Sequence, residues 1–185
     1  MQIYQAIHTA LTAHGNQKRK LDYDQYVAHP LEVGMLLAKF QQPDAIICAG
    51  ILHDTLEDTT LTYDMLEQDF GADIANLVNA VTEQDKALSW HERKTQYINQ
   101  INTYQSHPLF KNILLIVCVD KLTNLTNIAS HKTVLGDALW DMFNAGQPEQ
   151  QWYYECILTC LEPIADHTLY QQLKAVVQDV FDLED

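Results

Sequence analysis

The chain has 185 residues, 47% of them hydrophobic, ordinary for a soluble globular protein with one domain spanning residues 1–185. Its formal charge of −14, from 25 acidic and 11 basic residues, repels phosphate backbones, which argues against a general nucleic-acid binder; any anionic ligand must be met by a local basic cluster. The longest apolar runs, IICAGIL and ILLIVCV, fall far short of the roughly 18 to 20 residues of a membrane span, and MQIYQAIHTA lacks a basic region ahead of an apolar one, so a cytoplasmic protein without a membrane partner is expected.

Apolar residues recur at helical spacing and period-two alternation is nearly absent. In chain order this predicts helices over Ile3–Ala13, Tyr26–Phe40, Asp44–His53, Tyr63–Phe70, Ala72–Glu83, Trp90–Tyr104, Lys111–Asn127, Glu149–Leu161 and Thr168–Phe181. End signals agree: Pro43 and Pro148 stand at helix starts, Gly71 follows YDMLEQDF as a C-terminal glycine, and Ser89 with Glu92 fits a capping box. The fold class is therefore all-α, a compact bundle of about nine helices. The two Ile- and Val-rich runs also fit buried strands, but their helical flanks favour helix. Proline and glycine are few and no repeat or linker is visible. Cys48, Cys118, Cys156 and Cys160 lie in apolar or helical segments without zinc-site spacing, and read as reduced core residues.

The stretch ILHDTLEDTT sets His53, Asp54, Glu57 and Asp58 directly after the apolar Ile46–Leu52, and buried carboxylates need compensation. Neighbours on a helix stand about 100° apart, so His53 and Asp54 can converge on one ion. Glu57 and Asp58 return to the same faces four residues on, if the helix continues. His29, in YVAHPLEVG, is a second candidate ligand; Asp120, ending ILLIVCV, is a third. Two imidazoles and two carboxylates without a thiolate favour Mn²⁺, Fe²⁺ or Zn²⁺. Such an ion makes an attacking hydroxide available near neutral pH. Taken singly, each has a plainer reading: Asp120 as a hydrogen-bonded acid, EDTT as a solvated helix end with Thr59 or Thr60 capping the next helix. His8, His14, His91, His107, His131 and His167 read as surface or core residues.

The order H…HD…D, here His29, His53, Asp54 and Asp120, resembles the HD-domain metal-dependent phosphohydrolases. VAHPLEVG, LHDTLEDT, FGADIANLVNAVTE, SWHERK and VCVDKLTNLTNI are together similar to the hydrolase domain of the RelA/SpoT group, and most of all to its small single-domain MESH1-like branch. The resemblance runs from about residue 5 to about residue 160, and FNAGQPEQQWYYECIL also looks like a bacterial form of these proteins. It implies an HD-domain helical fold in which His29, His53, Asp54 and Asp120 hold one Mn²⁺ or another divalent ion. Glu57 and Asp58 would orient or deprotonate the attacking water. The implied reaction removes pyrophosphate from the 3′ position of guanosine tetra- or pentaphosphate.

Basic residues suit that substrate. Lys18, Arg19 and Lys20 in GNQKRKLDYDQY resemble the GQxRK motif that grips the nucleotide; Arg19 suits stacking on a purine and Lys20 a phosphate, and a solvated loop cluster is the alternative. Arg93, Lys94, Lys121 and Asn124 are further candidates, although Arg93 also fits a surface ion pair and Asn124 a helix end. Tyr153 matches a family tyrosine near the nucleotide, whereas Trp152 and Tyr154 read as core. The chain departs from the family in LDYDQYVA, which lacks the usual Gly and Pro, and in Cys118, which replaces a lysine. The family's bifunctional members carry a synthetase domain after the hydrolase, and none is expected here. Alternatives are hydrolysis of another small phosphorylated nucleotide, or a silent binding module, which the intact Glu57 and Asp58 disfavour. A nucleotide is the expected partner, and a homodimer is permitted.

Overall fold

Local end signals and apolar spacing set where each helix starts and stops. In the computed structural model, which describes residues 2–21, 24–85 and 87–183, the described residues form ten α-helices and no strand beyond one isolated bridge. They fall into two compact units, Met1–Gln84 and Asp85–Asp185.

The first unit holds α1 (Gln2–His14), α2 (Ala28–Lys39), α3 (Asp44–Leu52), α4 (Thr55–Asp58), α5 (Tyr63–Phe70) and α6 (Ala72–Val81). Helix α3 is apolar all round because it is the unit's axis: every residue from Ile46 to Leu52 is buried, and α1, α2 and α6 pack on it. Full burial of each large aliphatic side chain contributes about 1.5–3 kcal/mol. Glycines let α2 and α3 come close. A Cβ on Gly34 would stand 2.3 Å from Ile51 Cγ1, and one on Gly50 2.4 Å from Leu37 Cδ1.

Thr62 caps α5 through Met65 N–H, so neither Thr59 nor Thr60 takes that role; Thr59 instead donates to Thr55 O. Gly71, at φ 85°, ends α5 as its sequence position predicts.

The second unit holds α7 (Trp90–Thr103), α8 (Phe110–Leu135), α9 (Gln147–Cys160) and α10 (Thr168–Phe181), with short 3₁₀ turns at Gly136–Met142 and Glu162–Ile164. The Ser89/Glu92 capping box forms in full at α7. Helix α8 runs on to Leu135 rather than ending at Asn127, and packs along α10. Its polar end is held by tertiary contacts: Lys132 Nζ donates to Val180 O (2.7 Å) and to Asp182 Oδ2 (2.8 Å). Within Phe110–Met142 an 18-residue window has mean hydropathy 1.4, long and apolar enough by composition to cross a membrane, and 67% of it is buried inside the protein. Burial pushes the Cys118 thiol up to about 12 and, with Asp44 adding to the effect, the Cys48 thiol up to about 11, as befits core residues.

Candidate active site

Helix α3 ends where its side chains take over its carbonyls. His53 Nδ1 lies 2.8 Å from Gly50 O, and Thr55 Oγ1 donates to Leu52 O at 2.7 Å. Those acceptors are thereby satisfied without continuing the helix. Asp54 (φ −92°, ψ −4°) separates α3 from the single turn α4. The continuous helix that would carry Glu57 and Asp58 onto the faces of His53 and Asp54 is thus interrupted, although Asp58 N still reaches Asp54 O at 2.9 Å.

A carbonyl only accepts, so His53 Nδ1 carries a proton, and in the neutral ring Nε2 then presents a lone pair. That Nε2 sits 3.0 Å from Asp54 Oδ2, while His29 Nε2, from the start of α2, sits 3.7 Å from the same oxygen. The two rings meet edge to face with centroids 5.1 Å apart, and both histidines are 98% buried, their relative exposure being 2%. A divalent cation held between that lone pair and the carboxylate oxygen would satisfy both. An ion about 2.1 Å from each donor sets octahedral neighbours about 3 Å apart and tetrahedral ones about 3.4 Å, which brackets the closer separation and approaches the wider one. Outer contacts also match what metal ligands need: His53 is oriented by a backbone carbonyl, and Tyr26 Oη donates to Asp54 Oδ2 at 2.5 Å. The residues fit a divalent ion with N and O ligands.

The sequence does not single out Tyr26 as a site residue. Its signal was available, since it stands one helical turn before His29, but nothing local ties its hydroxyl to an acid 28 positions away.

Glu57 and Asp58 are both half-buried, and Glu57 Oε2 accepts from Glu83 N at 3.3 Å. The basic stretch forms a small paired loop: Lys18 bridges to Gln25, Arg19 N reaches Asp24 O (2.9 Å) and Tyr26 N reaches Gln17 O (2.8 Å). Lys18 and Lys20 are exposed, whereas the Arg19 side chain is only 10% exposed and its guanidinium lies 3.6 Å from Glu32 on α2. Asp22 and Tyr23, in the stretch where the chain departs from the family, lie outside the described residues.

In the second unit Asp120 is a buried acid of α8. Its Oδ1 accepts from Asn124 Nδ2 and its Oδ2 pairs with Lys121 Nζ, both at 2.7 Å. Asn124 therefore reaches Asp120 itself, one turn back. Lys121 Nζ lies 5.3 Å from the Tyr97 ring centre and 5.7 Å from that of Tyr153, while Lys94 Nζ lies 4.8 Å from Tyr153. Two ammonium groups share one buried aromatic ring, an arrangement that stabilises cations at low solvent exposure. Arg93 stands beside Lys94 on the first turn of α7, half-buried. Trp152 is half-buried and stacks on His91 at 4.2 Å, and Tyr154 is buried, its hydroxyl pushed up by desolvation.

The chain is similar to several known proteins in sequence and fold. A 1.85 Å crystal structure of lmo0812 from Listeria monocytogenes EGD-e superposes with TM-score 0.71 at 31% identity, covering 83% of this chain and 94% of that one. A metazoan ortholog of SpoT, described as hydrolyzing ppGpp and acting in starvation responses, shares the fold with TM-score 0.77 at 24% identity over 96% of this chain and 94% of that chain. The guanosine-3′,5′-bis(diphosphate) 3′-pyrophosphohydrolase of Aquifex aeolicus is 35% identical over 127 residues, which is 69% of this chain and 18% of that enzyme. The GTP pyrophosphokinase rsh of Brucella abortus is 34% identical over 119 residues, 64% of this chain and 16% of its own length. The chain thus spans under a fifth of the length of these curated relatives. The HD domain profile matches residues 6–136, a span that includes the adjacent His53 and Asp54, and on that match the chain belongs to the HD domain family.

Proposed function

We propose that the protein is a metal-dependent guanosine 3′,5′-bis(diphosphate) 3′-pyrophosphohydrolase, releasing pyrophosphate from the 3′ position and leaving GDP. The observation that carries this is the convergence of His29 and His53 Nε2 on Asp54 Oδ2, in a chain 35% identical to an enzyme named for that reaction. In this reading His29, His53 and Asp54 hold a divalent ion, Mn²⁺ by resemblance, with Asp120 as the fourth ligand. When bound, the ion supplies Lewis acidity and a lowered pKa for water.

The remaining steps belong to the chain's own residues. Glu57 and Asp58 are the acids that orient the attacking water and take up its proton. Lys94 and Lys121, with Arg93 and Asn124 beside them, offset the charge of the diphosphate as it leaves, and Tyr153 carries the two ammonium groups on its ring. Arg19 presents its guanidinium to the purine while Lys18 and Lys20 meet phosphates at the loop surface. We place the reaction in the cytoplasm, in the stringent response, with a small nucleotide as the partner.

The test is a release panel with guanosine tetraphosphate, deoxynucleoside monophosphates and nicotinamide dinucleotide phosphate, each with Mn²⁺ and with chelator. Mn²⁺-dependent pyrophosphate release from the first alone is the expected result. Phosphate release from one of the others would move the assignment to that nucleotide, and no release from any would leave a binding module.

A further inference from the structure

We propose that Gln17 is a positioning residue that couples the basic loop to the acidic turn Glu57–Asp58, with His14 fixing its orientation; the catalytic consequence rests on the pyrophosphohydrolase reading, the structural coupling does not. Gln17 follows α1, where Gly15 at φ 49° turns the chain out of the helix. Four hydrogen bonds commit it within the first unit. Its N–H donates to His14 O (2.9 Å), its carbonyl accepts from Tyr26 N (2.8 Å), its side-chain Nε2 donates to Asp58 O (2.7 Å), and its Oε1 faces His14 Nδ1 (2.9 Å).

The chemistry allows one arrangement. Asp58 O can only accept, so the amide nitrogen of Gln17 faces it; the amide oxygen then faces His14, whose Nδ1 must carry the proton. His14 is buried, and its ring lies 5.0 Å from that of Tyr26, the residue that donates to Asp54 Oδ2. A residue 41 positions from Asp58 in sequence thereby holds the last carbonyl of α4.

Helix α4 needs that support. It is four residues long, a length at which helix nucleation is unfavourable, and its terminal carbonyls have no intrahelical donor. Gln17 supplies the donor for the residue that also carries a catalytic carboxylate. Loop and acids consequently move together: a shift of the loop that carries Lys18, Arg19 and Lys20 pulls on Asp58.

Four variants of the full chain test this. Gln17→Met removes both side-chain hydrogen bonds at similar length. Gln17→Glu keeps the acceptor for His14 but sets an oxygen against Asp58 O. His14→Phe removes the donor that orients the amide, while His14→Asn restores a donor near Nδ1. Loss of one net hydrogen bond corresponds to about a two- to twelvefold change in local opening. Amide exchange over residues 54–60 should therefore rise by about that factor in Gln17→Met, Gln17→Glu and His14→Phe, with the rest of the first unit unchanged, and return near wild type in His14→Asn. Because Tyr26 N to Gln17 O is a backbone bond and survives, kcat for guanosine tetraphosphate should fall about tenfold or more while KM stays within about twofold.

Unchanged exchange over residues 54–60 in both Gln17 variants would overturn the proposal. So would a uniform rise across the unit, which marks a merely structural residue, or a KM effect without a kcat effect. A wild-type protein inert toward guanosine tetraphosphate, with exchange over 54–60 still raised by the variants, would refute the substrate reading and leave the coupling standing.

Discussion

Replacing Tyr26 by Phe removes one oxygen and leaves the ring. The ring packs 5.0 Å from His14 and 6.1 Å from His29, so those contacts persist, and what disappears is the donor 2.5 Å from Asp54 Oδ2. A hydrogen bond to a charged group is worth about 1.5–3 kcal/mol net. The Asp54 side chain is 15% exposed and water can replace part of the loss, which selects the lower half of that range, about 1.5–2 kcal/mol, or roughly 10- to 30-fold in an equilibrium constant. A second route agrees, since losing an outer hydrogen-bond partner of a metal ligand typically costs 10- to 100-fold in affinity, in round terms about one to two decades. Calorimetric Mn²⁺ titration of chelator-stripped wild type and Tyr26→Phe measures it directly, with thermal melts as the control for folding. Equal Mn²⁺ dissociation constants in two equally folded proteins would refute the reasoning, because Asp54 would then not be oriented by Tyr26 for an ion.

Four further outcomes are expected. Asp54→Ala and Asp120→Ala should each lose metal retention and hydrolysis together, read by metal analysis after gel filtration beside the activity assay; full activity in a stripped variant would remove that residue from the ligand set. Arg19→Ala should raise KM for guanosine tetraphosphate more than it lowers kcat, and steady-state kinetics with an unchanged KM would return Arg19 to an ion pair with Glu32 and nothing more. Gly34→Ala gains about 1 kcal/mol of helix propensity, yet forces a Cβ to within 2.3 Å of the stiff, buried Ile51, so overpacking of about 1–3 kcal/mol should win and lower the melting temperature by a few degrees. Cys118, whose thiol lies well above its ordinary 9.0, should resist alkylation in the native protein at pH 8; its contribution to stability is full below pH 9 and is lost as pH rises toward about 12, because the unfolded chain releases that proton first.

Chemistry that acts within a turn or two is legible in the amino-acid sequence. The Ser89/Glu92 box and Gly71 end their helices by bonds and dihedrals confined to a few residues, and each predicted helix corresponds to one observed helix. The pairing of His53 with Asp54 is covalent adjacency and needed no tertiary knowledge. The same holds for the apolar Ile46–Leu52, whose uniform hydrophobicity places α3 on the axis of its unit.

Other features depend on contacts that no window of sequence contains. The far end of α8 is polar, and only the clasp of Lys132 on Val180 and Asp182, about fifty positions away, shows why it stays helical. Tyr26 reads as the first residue of a helix and Gln17 as a loop residue until the fold sets them against Asp54 and Asp58. The break between α3 and α4 was equally hidden, because it follows from side chains capturing the carbonyls of Gly50 and Leu52. By itself the amino-acid order determined where nine of the helices lie, the buried axis and which residue types are candidates for holding a metal, since these follow from short-range periodicity and bonding. The direction in which each imidazole lone pair points, and the donors that hold the acids, were decided only by tertiary structure, because a hydrogen bond is specified by position in space and not by distance along the chain.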